Sequence, residues 1–412
     1  MVSVTKAHQL LHENVEAVHT EILPIESALG YLSAQNLHAR FDLPRFDNSA
    51  MDGYAVTMAD AGGVITPQPT IFAGDESSVK VRFGQGVKIM TGAVIPKGAD
   101  AVIPVEKTTE EDGKVKLPES IKRGENIRKR GEDISKGETI LNIGDEINGY
   151  AITQLASQGI THVRVFRKPR VSVFATGHEL RMHYETIEPH QIYNSNAPTF
   201  IARAKELGCD ASFTGATADT MESIKAQIAA SLQSDLIITS GGVSVGDADF
   251  TKDAFKELGM EILFEKVNIK PGKPTTVGRI GDTWIINLPG NPTAAAINFE
   301  LFARTIIERL RGCKKAYTAP IHTTCAEDIS LKPGKYTALL GRFDGESFTA
   351  LKKQGPGMVS PLKEADGFIV TDPETSFVKR GSKVKMIPLR FRVGKEEPTD
   401  IFTSGKSYSF EM

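Results

Sequence analysis

Two short segments gather glycines, prolines and charged side chains in patterns suited to handling a phosphorylated anion. Thr239 to Thr251 reads TSGGVSVGDADFT and sits between an apolar run and a helical pattern. Gly241, Gly242 and Gly246 carry no Cβ, so backbone N–H groups there can approach a ligand closely. Ser240 and Ser244 add hydroxyl donors, and a helix N-terminus favours an anion. A phosphate suits such a loop, and Asp249 is of the right type to hold Mg²⁺ beside it. The same segment also reads as a tight strand–helix turn whose aspartates cap the helix, and spacing leaves both readings open. In KVNIKPGKPTT (266–276), Lys266, Lys270 and Lys273 surround a Pro-Gly turn. Prolines stiffen this loop and Gly272 permits its bend. A fixed group of ammonium ions suits a dianion or a transition state with charge on phosphate oxygens; an ordinary exposed basic turn is the alternative.

Other segments are less specific. NLPGNPTAAA (287–296) has Asn291 as an N-cap and Pro292 in the first helical turn. It reads as a well-built helix start and, with Pro289 and Pro292 at its rim, as a further backbone-lined anion site. Glu179, in TGHEL (176–180), is a candidate acid, base or ligand, whereas His178 lacks partner histidines for a metal. FDNSAMDGY (46–54) and RKRGED (128–133) are dense in polar groups and read equally as solvated turns. Together the residues point to a Mg²⁺-assisted enzyme acting on a phosphorylated anionic substrate, which they do not name.

The elements that must position these groups fall into regions of different style. In residues 3–42, Val4, Ala7, Leu10 and Leu11 share one helical face. Residues 54–118 show short strand patterns, such as 87–91 and 100–105, broken by Gly and Pro. A helix is predicted over 149–157. From 170 to 312 strands alternate with helices: strands at Val171–Ala175, Leu236–Thr239 and Trp284–Asn287, helices at 197–207, 221–232, 249–258 and 293–311. That alternation predicts a parallel sheet covered on both faces, with ligands at the carboxyl ends of its strands. Beyond about 316 the pattern is β again, with strands at 337–343, 347–353, 367–371 and 383–393, which predicts a small barrel or sandwich. The fold class is thus multidomain α/β plus β. The expected domains are a helical or linker domain (1–43 with 134–167), a β-rich insert (44–133), an α/β domain (168–313) and a C-terminal β domain (314–412).

Bulk properties narrow the function. A chain of 412 residues exceeds one small core and suggests roughly three domains. A formal net charge of -2 with balanced signs argues against a general nucleic-acid or membrane-surface binder. Cys209, Cys313 and Cys325 lack metal-ligand spacing and read as reduced thiols of a cytoplasmic protein. No signal peptide is predicted, because His8, His12, Glu13 and Glu16 occupy the first residues in place of an apolar stretch. No apolar run approaches the roughly 20 residues that span a bilayer.

With these segments assembled, the chain resembles the molybdopterin molybdenumtransferase (MoeA) family and the E domain of gephyrin. The resemblance rests on PRFDNSAMDGYAV (44–56), MTGA (90–93), IRKRGEDI (127–134), TGHEL (176–180), NSN (194–196), TSGGVSVGDADFTK (239–252), IKPGKPT (269–275) and LPGNPTAA (288–295), in one order along nearly the whole chain. It implies an elongated homodimer of four-domain subunits, with a central domain like that of the molybdopterin adenylyltransferases. The implied reaction takes adenylyl-molybdopterin and molybdate, with Mg²⁺, to molybdenum cofactor and AMP, and a molybdopterin adenylyltransferase is an implied partner. Carried over position by position, the resemblance makes Asp249, Asp219 and Glu179 active-site acids, with Asp249 and Asp219 holding the metal. Lys266, Lys270 and Lys273 become its basic cluster, and Ser240 and Ser244, with Gly241 and Gly242, the nucleotide-side loop. Asp52, Thr91 and Asp133 become polar groups that face the cleft from the partner subunit. In the implied chemistry, metal and lysines stabilise charge while water or a molybdate oxygen attacks phosphorus.

The chain departs from this family at four places. His178 replaces the usual Asp of Thr-Gly-Asp-Glu-Leu. Leu340 stands where an Arg implicated in molybdate binding is usual, with Arg342 two residues on and so on the same strand face. Pro356 follows Gln354-Gly355 in place of Ser, and Asp366 precedes Gly367 in place of Asn. The pterin and nucleotide half therefore reads as intact and the oxyanion half as altered. The alternatives are a tungstate-preferring transferase, or a non-enzymatic or regulatory paralogue that binds the adenylylated pterin or a protein partner.

Overall fold

The computed structural model describes residues 1–76, 78–217, 220–241 and 250–389. The chain forms two compact units, one of Met1–Glu21, Gly30–Leu32 and Phe166–Met412, the other of Ile22–Leu29 and Ser33–Val165. The second unit holds the expected 44–133 insert together with 134–165. Its main sheet has six strands in the order Ala101–Pro104, Gly53–Val56, Gln85–Ile89, Val64–Ile71, Lys114–Lys116, Thr109–Glu111. Gly53 is required there by close approach: a Cβ would stand 2.1 Å from the Ile103 carbonyl oxygen of the neighbouring strand. The predicted helix appears as Gly149–Ser157, with the Asn148 side chain accepting from Tyr150 N and Ala151 N.

In the first unit, the expected long helical stretch at the start is a shorter helix, Val4–Asn14, capped by Ser3. Beyond it the chain turns extended at Thr20–Pro24, where a proline cannot continue a helix ladder. The central sheet has the order Asp210–Thr217, Arg170–Thr176, Leu236–Ser240, Thr283–Leu288, Thr276–Ile280, Glu261–Glu265. The first four strands are parallel, as expected. The last two pair antiparallel and extend the sheet beyond its parallel part. Both faces of the parallel strands are covered, which is why they read as unbroken apolar runs. Val173, Ile238 and Ile286 pack toward Phe200, Phe299 and Ile306; Phe174, Ile237 and Ile285 pack toward Ile224, Ile228 and Phe255 on the other side.

The predicted helix over 293–311 is one continuous element with a defect. An α-turn region, Pro292–Asn298, passes through a π-helical segment, Phe299–Ala303, into Arg304–Leu310. Phe200 of the helix Asn196–Glu206 stacks on Phe299 with centroids 5.5 Å apart. Such a pair is worth about 0.5–1.5 kcal/mol beyond area burial and holds the two helices side by side.

The C-terminal region is a closed five-stranded barrel, as expected. Tyr336–Phe343 pairs with Ser347–Ala350 and Gly367–Thr371; Ile321–Cys325 pairs with Ser347–Ala350 and Lys383–Pro388; Lys383–Pro388 closes on Gly367–Thr371. Ile269–Lys270 adds itself parallel to Tyr336–Thr337, so the lysine segment begins as an extra strand on this barrel. Cys209 and Cys325 are buried thiols, and burial pushes Cys209 up to about 12. Among the described residues no helix is long and apolar enough to cross a membrane.

Candidate active site

The order of the parallel strands fixes where a ligand can enter. From Arg170–Thr176 the chain passes to Asp210–Thr217 on one side, then returns to Leu236–Ser240 on the other. The switch between these neighbours leaves a crevice at their carboxyl ends, the usual ligand site of such sheets. A cleft of about 580 Å³ opens there, lined by Thr176 and Glu179 from the first strand and its turn, Ser240 and Gly241 from the second, and Pro289, Gly290, Asn291 and Pro292 beyond the third. Pro274 of the lysine turn and Gly357 and Val359 of the barrel complete its wall.

Long-range hydrogen bonds tie these segments together. Asn196 Nδ2 donates to Gly290 O at 2.8 Å and to Ser240 Oγ at 3.3 Å, so one buried amide joins three of the segments singled out above. Gly241 N donates to Leu288 O. Gly241 has φ +99°, and a Cβ would lie 2.6 Å from Thr176 O, so only glycine lets the two strand ends meet. Thr176 Oγ1, Thr239 Oγ1 and Asn287 Oδ1 are buried at these strand ends and find no hydrogen-bond partner among the described residues. Orphaned buried oxygens of this kind call for an explanation in a ligand, ion or water.

The lysine turn is a rigid frame. Asn298, on the helix that follows the LPGNP segment, donates from Nδ2 to Ala294 O at 2.7 Å and to Pro271 O at 3.4 Å. Thr275 Oγ1 donates to Asn298 Oδ1 at 3.0 Å and lies 3.1 Å from Gly272 O. Gly272 has φ +111°, and a Cβ there would fall 1.7 Å from Asn298 Nδ2. Lys266 N donates to Thr275 O and Val267 N to Lys273 O, which closes the base of the turn. Lys266, Lys270 and Lys273 are exposed and form no ion pair among the described residues. Of this turn only Pro274 lines the cleft; Lys266, Lys270 and Lys273 stand exposed on the pinned loop and are not part of the cleft wall.

The start of the helix at Pro292 is used differently from expectation. Pro292 has no N–H, and the first donor after it, Thr293 N, goes to Pro356 O at 3.0 Å. Thr293 Oγ1 donates to Met358 O at 2.6 Å. This helix end therefore docks the barrel segment 354–359, and its leading donor is already taken. Pro356 acts here through its carbonyl.

In the second unit Asp52 and Thr91 meet. Thr91 donates to Asp52 Oδ1 from its hydroxyl at 2.6 Å and from its backbone N at 2.7 Å. These bonds, the hydroxyl first and the backbone second, hold the Asp52 carboxyl below the usual carboxylate range. Thr91→Ala is expected to raise the Asp52 midpoint in an NMR pH titration, and an unchanged midpoint would assign the effect elsewhere. Asp133 is exposed, and its backbone N donates to Leu43 O at 3.0 Å.

Some expected residues do not reach the cleft wall. Leu340 is fully buried in the core, and its N–H donates to Gln354 Oε1 at 2.7 Å. Arg342 points instead at Glu364, with Nη2 2.6 Å from Oε2, and does not line the cleft. Asp366 accepts from Phe343 N through its carboxylate. Asp219, Gly242, Ser244 and Asp249 lie outside the described residues. Ile192, Tyr193, Gly357 and Val359 line the cleft without having been singled out by residue type or motif, and Leu180, Asn194 and Ser195 stood only within the motifs of the resemblance.

Mg²⁺ seeks oxygen donors. Thr176 and Glu179 line the cleft, with Glu179 its one carboxylate among the described residues, whereas Asn287 Oδ1 is buried at the neighbouring strand end and is not part of the lining. Among the described residues no group of three or more His, Cys, Asp or Glu side chains is arranged to hold a metal.

Comparison with known proteins gives a consistent result. Residues 2–159 match the family described as MoeA N-terminal region (domain I and II), residues 172–309 a probable molybdopterin binding domain, and residues 323–389 the MoeA C-terminal region (domain IV). A molybdopterin molybdenumtransferase of Haemophilus influenzae is 34% identical, covering 96% of this chain and 100% of the relative. One from Staphylococcus epidermidis is 37% identical over 94% of this chain and 95% of its own. The crystal structure of a molybdopterin biosynthesis MoeA protein from Pyrococcus horikoshii superposes with a TM-score of 0.81 at 28% identity, covering 95% of this chain and 100% of that one.

Proposed function

The chain belongs to the MoeA family of molybdopterin molybdenumtransferases, enzymes of molybdenum cofactor biosynthesis, and on that premise we propose that it inserts molybdate into adenylyl-molybdopterin with release of AMP. The observation that carries this reading is the cleft at the strand switch point. There the Ser240–Gly241 turn, Glu179 and the proline next to the lysine turn line one wall system. A phosphate ester bound there would meet the Ser240 hydroxyl and the glycine-rich backbone, and the lysines would offset charge growing on its oxygens. Positioning plus electrostatic stabilisation is what phosphoryl transfer requires of a protein. Glu179, with Asp219 and Asp249, would hold Mg²⁺, which supplies charge neutralisation at the phosphate oxygens when bound.

Two further parts of the reading rest on the family resemblance. The enzyme acts as a cytoplasmic homodimer, and Asp52, Thr91 and Asp133 serve the cleft of the partner subunit. The fully buried Leu340 and the pairing of Arg342 with Glu364 leave the oxyanion to other groups, and Lys270 and Lys273 are the cations the lysine turn offers. The deciding experiment incubates purified protein with adenylyl-molybdopterin, Mg²⁺ and molybdate, and measures AMP. Release of AMP that depends on both Mg²⁺ and molybdate is expected, and bound substrate without AMP release would overturn the proposal. Competing molybdate against tungstate in the same assay reads the oxyanion preference.

A further inference from the structure

The cleft is far larger than a phosphate needs, and its remaining wall is apolar. Alongside the polar anchors stand Pro274, Pro289, Pro292, Leu180, Ile192, Val359 and the ring of Tyr193. Tyr193 is 46% exposed and Ile192 57% exposed, although both border a buried framework. An apolar lining with a few convergent polar groups is the usual construction of a small-molecule site.

Tyr193 is held in place at both ends. Its strand, Ile192–Tyr193, pairs parallel with Leu180–Arg181. Ile192 N donates to Glu179 O at 2.9 Å and Asn194 N to Arg181 O at 2.8 Å, so the backbone on either side is fixed. Asn194 Oδ1 then accepts from Ala197 N in the first turn of the next helix. At its far end the Tyr193 hydroxyl donates to Glu185 O at 3.2 Å. The hydroxyl is thus turned back to the protein, and Tyr193 itself lines the cleft while staying about half exposed. The same short stretch of chain presents Glu179, Tyr193 and Asn196, which places an aromatic face beside the groups proposed to hold the phosphate.

We propose that Tyr193 is a stacking platform for the planar heteroaromatic ring of the phosphorylated substrate. This rests on the nucleotide–pterin reading of the cleft. A fixed aromatic face binds any flat π-system and loses little entropy in doing so. The hydroxyl is engaged by Glu185 O and does not touch the ligand. Tyr193→Phe keeps the aromatic face, still fixed by the backbone bonds on either side, and loses only this one long tether, whereas Tyr193→Ala removes the face and Tyr193→Leu replaces it with apolar bulk that cannot stack.

Calorimetric titration with three probes tests this: AMP, ribose 5-phosphate and a pterin monophosphate. Base–aromatic stacking corresponds to a loss of roughly tenfold or more in affinity on removal of the ring. Tyr193→Ala and Tyr193→Leu are expected to weaken AMP, the pterin phosphate or both by that factor, to leave ribose 5-phosphate unchanged, and Tyr193→Phe to stay close to wild type. Which ring-bearing probe loses affinity identifies the ring that stacks. Equal losses for all three probes, rescue by leucine, or no loss at all would overturn the platform while leaving the nucleotide–pterin reading standing. Wild-type protein that binds ribose 5-phosphate as tightly as both ring-bearing probes, or binds none of the three, would overturn that reading and the platform with it.

Discussion

Gly272→Ala is expected to destabilise the first unit by about 3 kcal/mol or more and to remove most of the turnover. Two penalties act together. The φ of +111° lies outside the range an L side chain accepts, and the new methyl would sit 1.7 Å from Asn298 Nδ2 and 2.8 Å from Asn298 Cγ. Neither neighbour can yield easily, because Asn298 is fully buried and bonded to Ala294 O, Pro271 O and Thr275 Oγ1. Asn298→Ala alone should cost about 1–2 kcal/mol through lost hydrogen bonds. Combined with Gly272→Ala it removes the atoms that clash, so the double variant should be more stable than the sum of the singles predicts, by about 1 kcal/mol or more. Denaturant midpoints for the four proteins measure this cycle. Strict additivity would show that the turn is not clamped against Asn298.

The clamp marks how far sequence reading reaches. The lysines and the Pro-Gly turn were legible, because their residue types limit the backbone locally. The partner that makes the turn rigid was not, since Asn298 lies 23 residues from Thr275. A signal existed: Asn298 is an amide that shares its helix face with Ala294 and Ala295, four and three residues before it. A polar group there must be buried with partners. Asn196 is the same case, because its bond to Gly290 spans 94 residues and only the family resemblance singled it out. Parallel strands were visible as apolar runs since both their faces are covered. The antiparallel pair Glu261–Glu265 and Thr276–Ile280 was missed, for it is only partly buried and broken by Gly278 and a register shift. The π-helical segment at Phe299–Ala303 leaves no mark in a hydrophobic period.

Arg342 shows the limit of strand-face reasoning. Residues two apart share a face, yet Leu340 is fully buried while Arg342 stands mostly exposed near the strand end, where Glu364 captures it. Burial can change along one face as a strand leaves the core, and alternation alone does not report that. The helix start at Asn291–Pro292 is a related case. Its chemistry as a helix start was legible, but which acceptor takes its first donor depends on the barrel segment at Pro356.

Lys273→Ala and Lys270→Ala should each lower kcat/KM for AMP release by roughly a hundredfold, with little change in thermal stability. A hundredfold is about 2.7 kcal/mol of transition-state stabilisation, and a loss of that size requires bound substrate to draw these exposed ammonium groups onto its phosphate and to exclude water around them. Stability should not follow, because both side chains are exposed and without ion-pair partners among the described residues. Removing one of several like charges on a short turn slightly favours the folded state. Lys273→Arg keeps the charge but presents a planar fork in place of a compact ammonium, so it should recover only part of the rate. Melting temperature measured beside turnover separates the two readings of this turn. A catalytic cluster loses rate and keeps its melting point. A merely solvated basic turn keeps both, and that result would remove the lysines from the mechanism.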